Sequence, residues 1–165
     1  MKINTLKELY LFGIQDMHDG CGKSFDAMQA MQAVASHDGL RRLTQEALKA
    51  MHQAMGIFAG VLSNHGVAAI ATGNKALKAL SDEANDLAVE AEFATPMLRD
   101  LAIVSKIRNI AHYPEAGFKT FIAQAEALGF EDDLRLLRGD GADTIDNALA
   151  FRLMADIEIE IFRQI

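Results

Sequence analysis

The feature that most constrains this chain is a run of about thirty residues in which apolar or small side chains recur every three or four positions. It holds Leu6, Leu9, Gly13, Met17, Cys21, Ser24, Met28, Met31 and Ala35. That spacing keeps one face of an α-helix apolar and is incompatible with a strand, whose faces alternate every second residue. Thr5 and Glu8 form a Thr-x-x-Glu capping pattern at its start. A first helix is therefore expected over residues 5 to 35. Gly13, Gly20 and Gly22 weaken it by about 1 kcal/mol each relative to alanine. Such a helix needs neighbours that approach its backbone closely, or a local kink.

The same period returns three times. After the turn Ser36-His37-Asp38-Gly39, a second helix is expected over 40 to 65, with the stripe Leu40, Leu43, Ala47, Ala50, Ala54, Phe58 and Leu62 and a stop at Gly66. The short turn makes the pair an antiparallel hairpin. Thr95-Pro96 opens a third long helix, carrying Leu98, Leu101, Ala102, Val104, Ile107, Ile110 and Ala111. Pro114 should kink it, and Gly129 ends it. Residues 131–138 suit one or two short helical turns. Gly139-Asp140-Gly141 interrupts the pattern, and Asp143 or Thr144 starts a last helix with Ile145, Leu149, Leu153, Ile157 and Ile161.

Residues 66–94 connect the two hairpins. Asn74 caps a shorter helix there that runs toward Ala91, and the acidic residues Asp82, Glu83, Asp86, Glu90 and Glu92 form its solvated face. A connector of this length crosses from one end of a bundle to the other, whereas simple up-down bundles use short loops throughout. The expected fold is all-α: a ferritin-like four-helix bundle with a long helical crossover between helices 2 and 3 and a short extra helix near the C-terminus. Residues 1–165 read as a single domain.

Composition narrows the function classes. Half of the residues are apolar, tryptophan is absent, and the net charge is −7. An acidic surface repels phosphate backbones and anionic lipid, so neither nucleic acid nor membrane is an expected partner. No apolar run reaches the length of a membrane span. The first residues carry no hydrophobic signal region, and the lone Cys21 fits a reducing cytoplasm.

A di-metal bundle needs Glu ligands and Glu-x-x-His pairs on facing helices. None of the five histidines has a Glu three residues before it: the residues there are Gln15, Val34, Lys49, Leu62 and Asn109. His18 and Cys21 share a helix face, and His112 and Glu115 have the spacing of a reversed half-site. Asp140, Asp143 and Asp146 cluster among glycines, where helix capping is the simpler reading than a calcium loop. Met17, Met28, Met31, Met51, Met55 and Met154 read as packing residues.

The chain resembles the YciE/YciF-like family of bacterial ferritin-like proteins. The resemblance rests on Thr5-Leu6-Lys7-Glu8-Leu9-Tyr10, Leu98-Arg99-Asp100, His112-Tyr113 with Ala116-Gly117-Phe118, and Ala-Gln-Ala-Glu-Ala-Leu-Gly at 123–129. It implies a four-helix bundle, a homodimer, a link to stress response, and a di-metal centre of Glu and His. The positions that the resemblance gives to metal ligands hold Cys21, Ala50, Ala54, Ala111, Pro114, Asp143 and Thr144. These replacements are mostly small or apolar, and uncompensated carboxylates would repel one another in a dry interior. The expected protein is a non-catalytic bundle with no cofactor. It would serve as a structural or interaction protein, a cytoplasmic homodimer with a further protein partner. Two alternatives stay open. One is a remodelled metal site built from His18, Cys21, His112, Glu115 and Asp143, holding iron, manganese or zinc. The other is an apolar ligand pocket between Ala50, Ala54 and Ala111.

Overall fold

The computed structural model describes residues 2–139 and 147–165. Among the described residues six α-helices follow in order: α1 (Leu6–Val34), α2 (Asp38–Asn64), α3 (Lys75–Ala84), α4 (Pro96–Leu128), α5 (Glu131–Arg138) and α6 (Asn147–Phe162). There is no strand among the described residues. α1 packs along α2, α3 and α4, while α6 lies against α4 and α2 and completes the bundle. The crossover runs through α3 and a π-helical turn, Asn85–Glu90, and α5 wedges between α2 and α4. No described helix is long and apolar enough to cross a membrane. The expected start of the last helix at Asp143 or Thr144 lies outside the described residues.

Local chemistry sets the helix ends. Thr5 Oγ1 accepts from the Glu8 amide at 3.1 Å, and Glu8 accepts in return from the Asn4 amide, one residue earlier than the usual reciprocal bond. Thr95 caps α4 ahead of Pro96, and Asn74 caps α3 at the Leu77 amide. Gly66 and Gly129 both take positive φ. Beside them the amides of Val67 and Phe130 reach back to the carbonyls of Leu62 and Ala125. This is the Schellman closure, whose left-handed residue favours glycine. α4 continues through Pro114 as one helix.

The buried register differs from the expected stripe near the starts of three helices. In α1 it runs through Tyr10, Ile14, Met17, Cys21, Ser24, Met28, Met31 and Ala35, leaving Leu6 and Leu9 exposed. Tyr10 takes the inward position because its hydroxyl finds a buried acceptor. In α6, Met154, Ile157 and Ile161 are buried while Leu149 and Leu153 stay exposed. Phe151 stacks on His112 with centroids 4.0 Å apart, which turns positions 149 and 153 outward. Leu98 is likewise exposed.

Two of the three α1 glycines mark close approaches. A Cβ on Gly20 would lie 2.5 Å from Leu77 and 2.9 Å from Asn74, and one on Gly13 2.8 Å from Phe121. Gly22 has only Met55 nearby, at 3.9 Å.

Candidate functional site: a buried carboxylate that joins three helices

Asp133 occupies the first turn of α5 and is 1% exposed. A buried carboxylate needs hydrogen-bond donors, and three elements supply them. The Tyr10 hydroxyl on α1 donates to Oδ2 at 3.0 Å. Asn64 Nδ2, at the end of α2, donates to Oδ1 at 2.8 Å. His65 Nε2, the next residue, lies 2.7 Å from Oδ2. The Phe130 ring packs on His65 at 4.6 Å and on Tyr10 at 5.8 Å, and Lys7 sits over its face. Burial, then the bond to Asp133 and its charge, pushes the Tyr10 phenol far above its ordinary value. The phenol therefore stays a donor across the working pH range.

A shallow recess of about 280 Å³ opens beside this node, lined by residues of the α2 and α4 ends and the start of α5. Asp133 with His65 has the form of an acid–imidazole dyad. The described lining contributes no serine or cysteine, so the dyad has no side-chain nucleophile to activate. Its evident work is mechanical: one carboxylate fixes α1, the α2 C-terminus and α5 together.

Other buried and half-buried polar groups follow the same pattern. Asp100 on α4, 1% exposed, accepts from both the amide and the hydroxyl of Ser36 (2.8 and 2.5 Å) and from the His37 amide (3.0 Å), which pins the α1–α2 turn. Asp16 and Asp19 on α1 hold Thr72, Gly73 and Asn74 at the start of the crossover. Buried Lys106 reaches Glu83 at 3.0 Å, joining α4 to α3. Arg108 grips Glu158 with both terminal nitrogens, joining α4 to α6.

The residues singled out from the sequence do not assemble into one site. Cys21 lies in the core, 2% exposed, and burial pushes its thiol up to about 12. Ala54 is buried, whereas Ala50, Ala111 and Pro114 are only partly so. His18 borders a surface groove beside Asp19, Lys23 and Met55. His112 Nδ1 does meet Glu115, at 3.2 Å. The bond from Lys119, then its charge and the contact with His112, outweigh burial and hold the Glu115 carboxyl below its usual range. Asp143 and Thr144 lie outside the described residues. Among the described residues no three His, Cys, Asp or Glu side chains converge. A neutral thiol and alanines supply no anionic oxygen, so the described ligand positions do not fit a di-metal centre.

Sequence reasoning missed Tyr10, Asn64, His65 and Asp133. Each is locally ordinary: a tyrosine beside the expected stripe, a helix-end pair before Gly66, and an acid in a first turn. Only their meeting in space distinguishes them.

The helix order, the crossover and the packing define a ferritin-like helical bundle. A family model covering residues 5–157 matches the chain, which belongs to that family, described as a domain of unknown function, DUF892. Two solved structures share the fold, each with a TM-score of 0.76 over 98% of this chain and 95% of the other. One is YcfI of Rhodopseudomonas palustris, described as a proposed structural protein, at 23% identity. The other is the E. coli stress protein YciF, at 17% identity. No curated protein matches the chain.

Proposed function

We propose that this chain is a structural or interaction bundle that works without di-metal chemistry, as a cytoplasmic homodimer with a further protein partner in a stress response. The observation that carries this reading is the fate of the ligand positions. Cys21 and Ala54 are core packing residues, and Phe58 meets Phe118 and Phe121 with centroids 4.7 and 6.0 Å apart. Packed rings also favour a filled interior over the alternative of an apolar ligand pocket. The stress association comes from the description of YciF, and the structural role from that of YcfI.

Metal analysis tests the reading directly. Protein purified from cells, and again after anaerobic loading with Fe²⁺ or Mn²⁺, should carry far less than one ion per chain. About two tightly held ions per chain, as in a di-metal bundle, would overturn it. Light scattering checks the dimer: a monomer at micromolar concentration removes that part of the proposal.

A further inference from the structure

Helix α2 has an imidazole at each end. His37 is its N-cap and His65 its C-cap. At the N-terminus, His37 Nδ1 accepts from the Leu40 amide at 3.3 Å. The ring lies against Gly39, where a Cβ would come within 3.0 Å of Cε1 and 3.1 Å of Nδ1. Its other nitrogen, Nε2, is 3.2 Å from Glu160 on α6. This geometry requires a lone pair on Nδ1 and a proton on Nε2.

Acid acts on that cap in a defined sense. A second proton must go to Nδ1, where it faces the Leu40 N–H, donor against donor. It also places a cation at the positive end of the helix dipole. At the other terminus the signs reverse. His65 stands at the negative end of the dipole and already gives Nε2–H to Asp133, so a proton on its Nδ1 removes no bond to that carboxylate.

Several charged groups surround His37. Glu160 faces it from α6. Asp100 on α4 accepts its backbone amide. On α2 itself, Asp38 pairs with Arg41, whose other terminal nitrogen binds the Ala35 carbonyl at the end of α1. Glu160 offers a doubly protonated ring a contact that does not involve the Leu40 amide, so this contact survives loss of the cap.

We propose that His37 is an acid-labile cap: a second proton on its ring releases the first turn of α2, where the α1–α2 hairpin meets α4 and α6, while the His65 end holds.

Amide hydrogen exchange on the full-length protein, followed residue by residue by NMR and corrected for intrinsic rates, tests this between pH 8 and pH 5. Protection at Leu40 should fall about fivefold, the usual effect of losing an N-cap bond, with no matching fall at Val61 and Leu62. His37→Asn keeps a capping acceptor that does not titrate, and should remove the pH dependence. Nitrogen shifts in the wild type provide a measurement free of mutation: at pH 8 His37 should be the Nε2–H tautomer. Flat protection at Leu40 in the wild type, an equal fall in His37→Asn, or an Nδ1–H tautomer at pH 8 would each overturn the proposal.

Discussion

Replacing Asp133 with alanine should destabilise the fold by about 3–4 kcal/mol, the range expected when one partner of a buried polar network is lost. The carboxylate accepts from Tyr10, Asn64 and His65. Truncation removes those bonds and leaves the Tyr10 hydroxyl, on a residue 0% exposed, with no acceptor. That orphaned donor alone costs about 1–3 kcal/mol. Asn64 and His65 lie nearer the surface and turn more readily to water, so they add less. At roughly 2–4 °C per kcal/mol for a chain of this size, the thermal midpoint should drop by about 6–16 °C. Urea unfolding followed by helical circular dichroism gives the free energy. Tyr10→Phe alone should cost about 1–1.5 kcal/mol. The double variant should cost less than the sum by about 1–2 kcal/mol, because without the phenol no donor is stranded. An Asp133→Ala protein within about 0.5 kcal/mol of wild type, the usual scale of a surface change, would refute the reasoning. Strict additivity in the double variant would do the same.

Three further outcomes are expected. Gly56 has nothing within 4 Å of an added Cβ, whereas Gly20 faces Leu77 and Asn74. Gly56→Ala should therefore stabilise by about 0.5–1 kcal/mol and Gly20→Ala destabilise by about 1–3 kcal/mol, both read from urea midpoints. The Cys21 thiol is raised from 9.0 to about 12 by burial, so the unfolded chain ionises first. The neutral thiol's contribution is full below pH 9 and is lost as pH climbs toward 12. Wild type should lose stability more steeply than Cys21→Ala across pH 8–10.5, and a disulfide reagent should label the thiol only as fast as the chain opens. Burial would raise Asp19, but bonds from Lys23, Gly73 and Asn74 together lower it below its ordinary 3.8. Its contribution is present above about pH 4 and disappears as pH falls, so Asp19→Asn should flatten the acid limb of stability against pH.

Helix boundaries were legible because capping is local chemistry. Thr5, Asn74, Thr95 with Pro96, Gly66 and Gly129 each satisfy backbone groups within a few residues, and each marks an observed end. The π-helical turn was not legible. It depends on an amide reaching five residues back, as Ala91 does to Asp86, and no residue type announces that extra residue. Periodicity found the middle of each buried face and misjudged the starts of α1, α4 and α6. The Tyr10 hydrogen bond to Asp133 sets the rotation in α1, and the stacking of Phe151 on His112 sets it in α6. At the candidate site, the identity of the residues at Cys21, Ala50, Ala54, Ala111 and Pro114 is plain in the sequence, but their placement in the bundle is not. The Asp133 node could not be read there, since Tyr10 and Asp133 stand 123 positions apart.

That separation has a bearing on how the protein is made. Tyr10 and the Asn64–His65 pair leave the ribosome long before the acid that gathers them. A nascent chain stopped short of α5 can form its first hairpin but lacks the carboxylate that joins α1 to the end of α2, so early termination products should be open to proteases. Asp133 thus supplies, late in the chain, the clasp for helices that precede it by many residues.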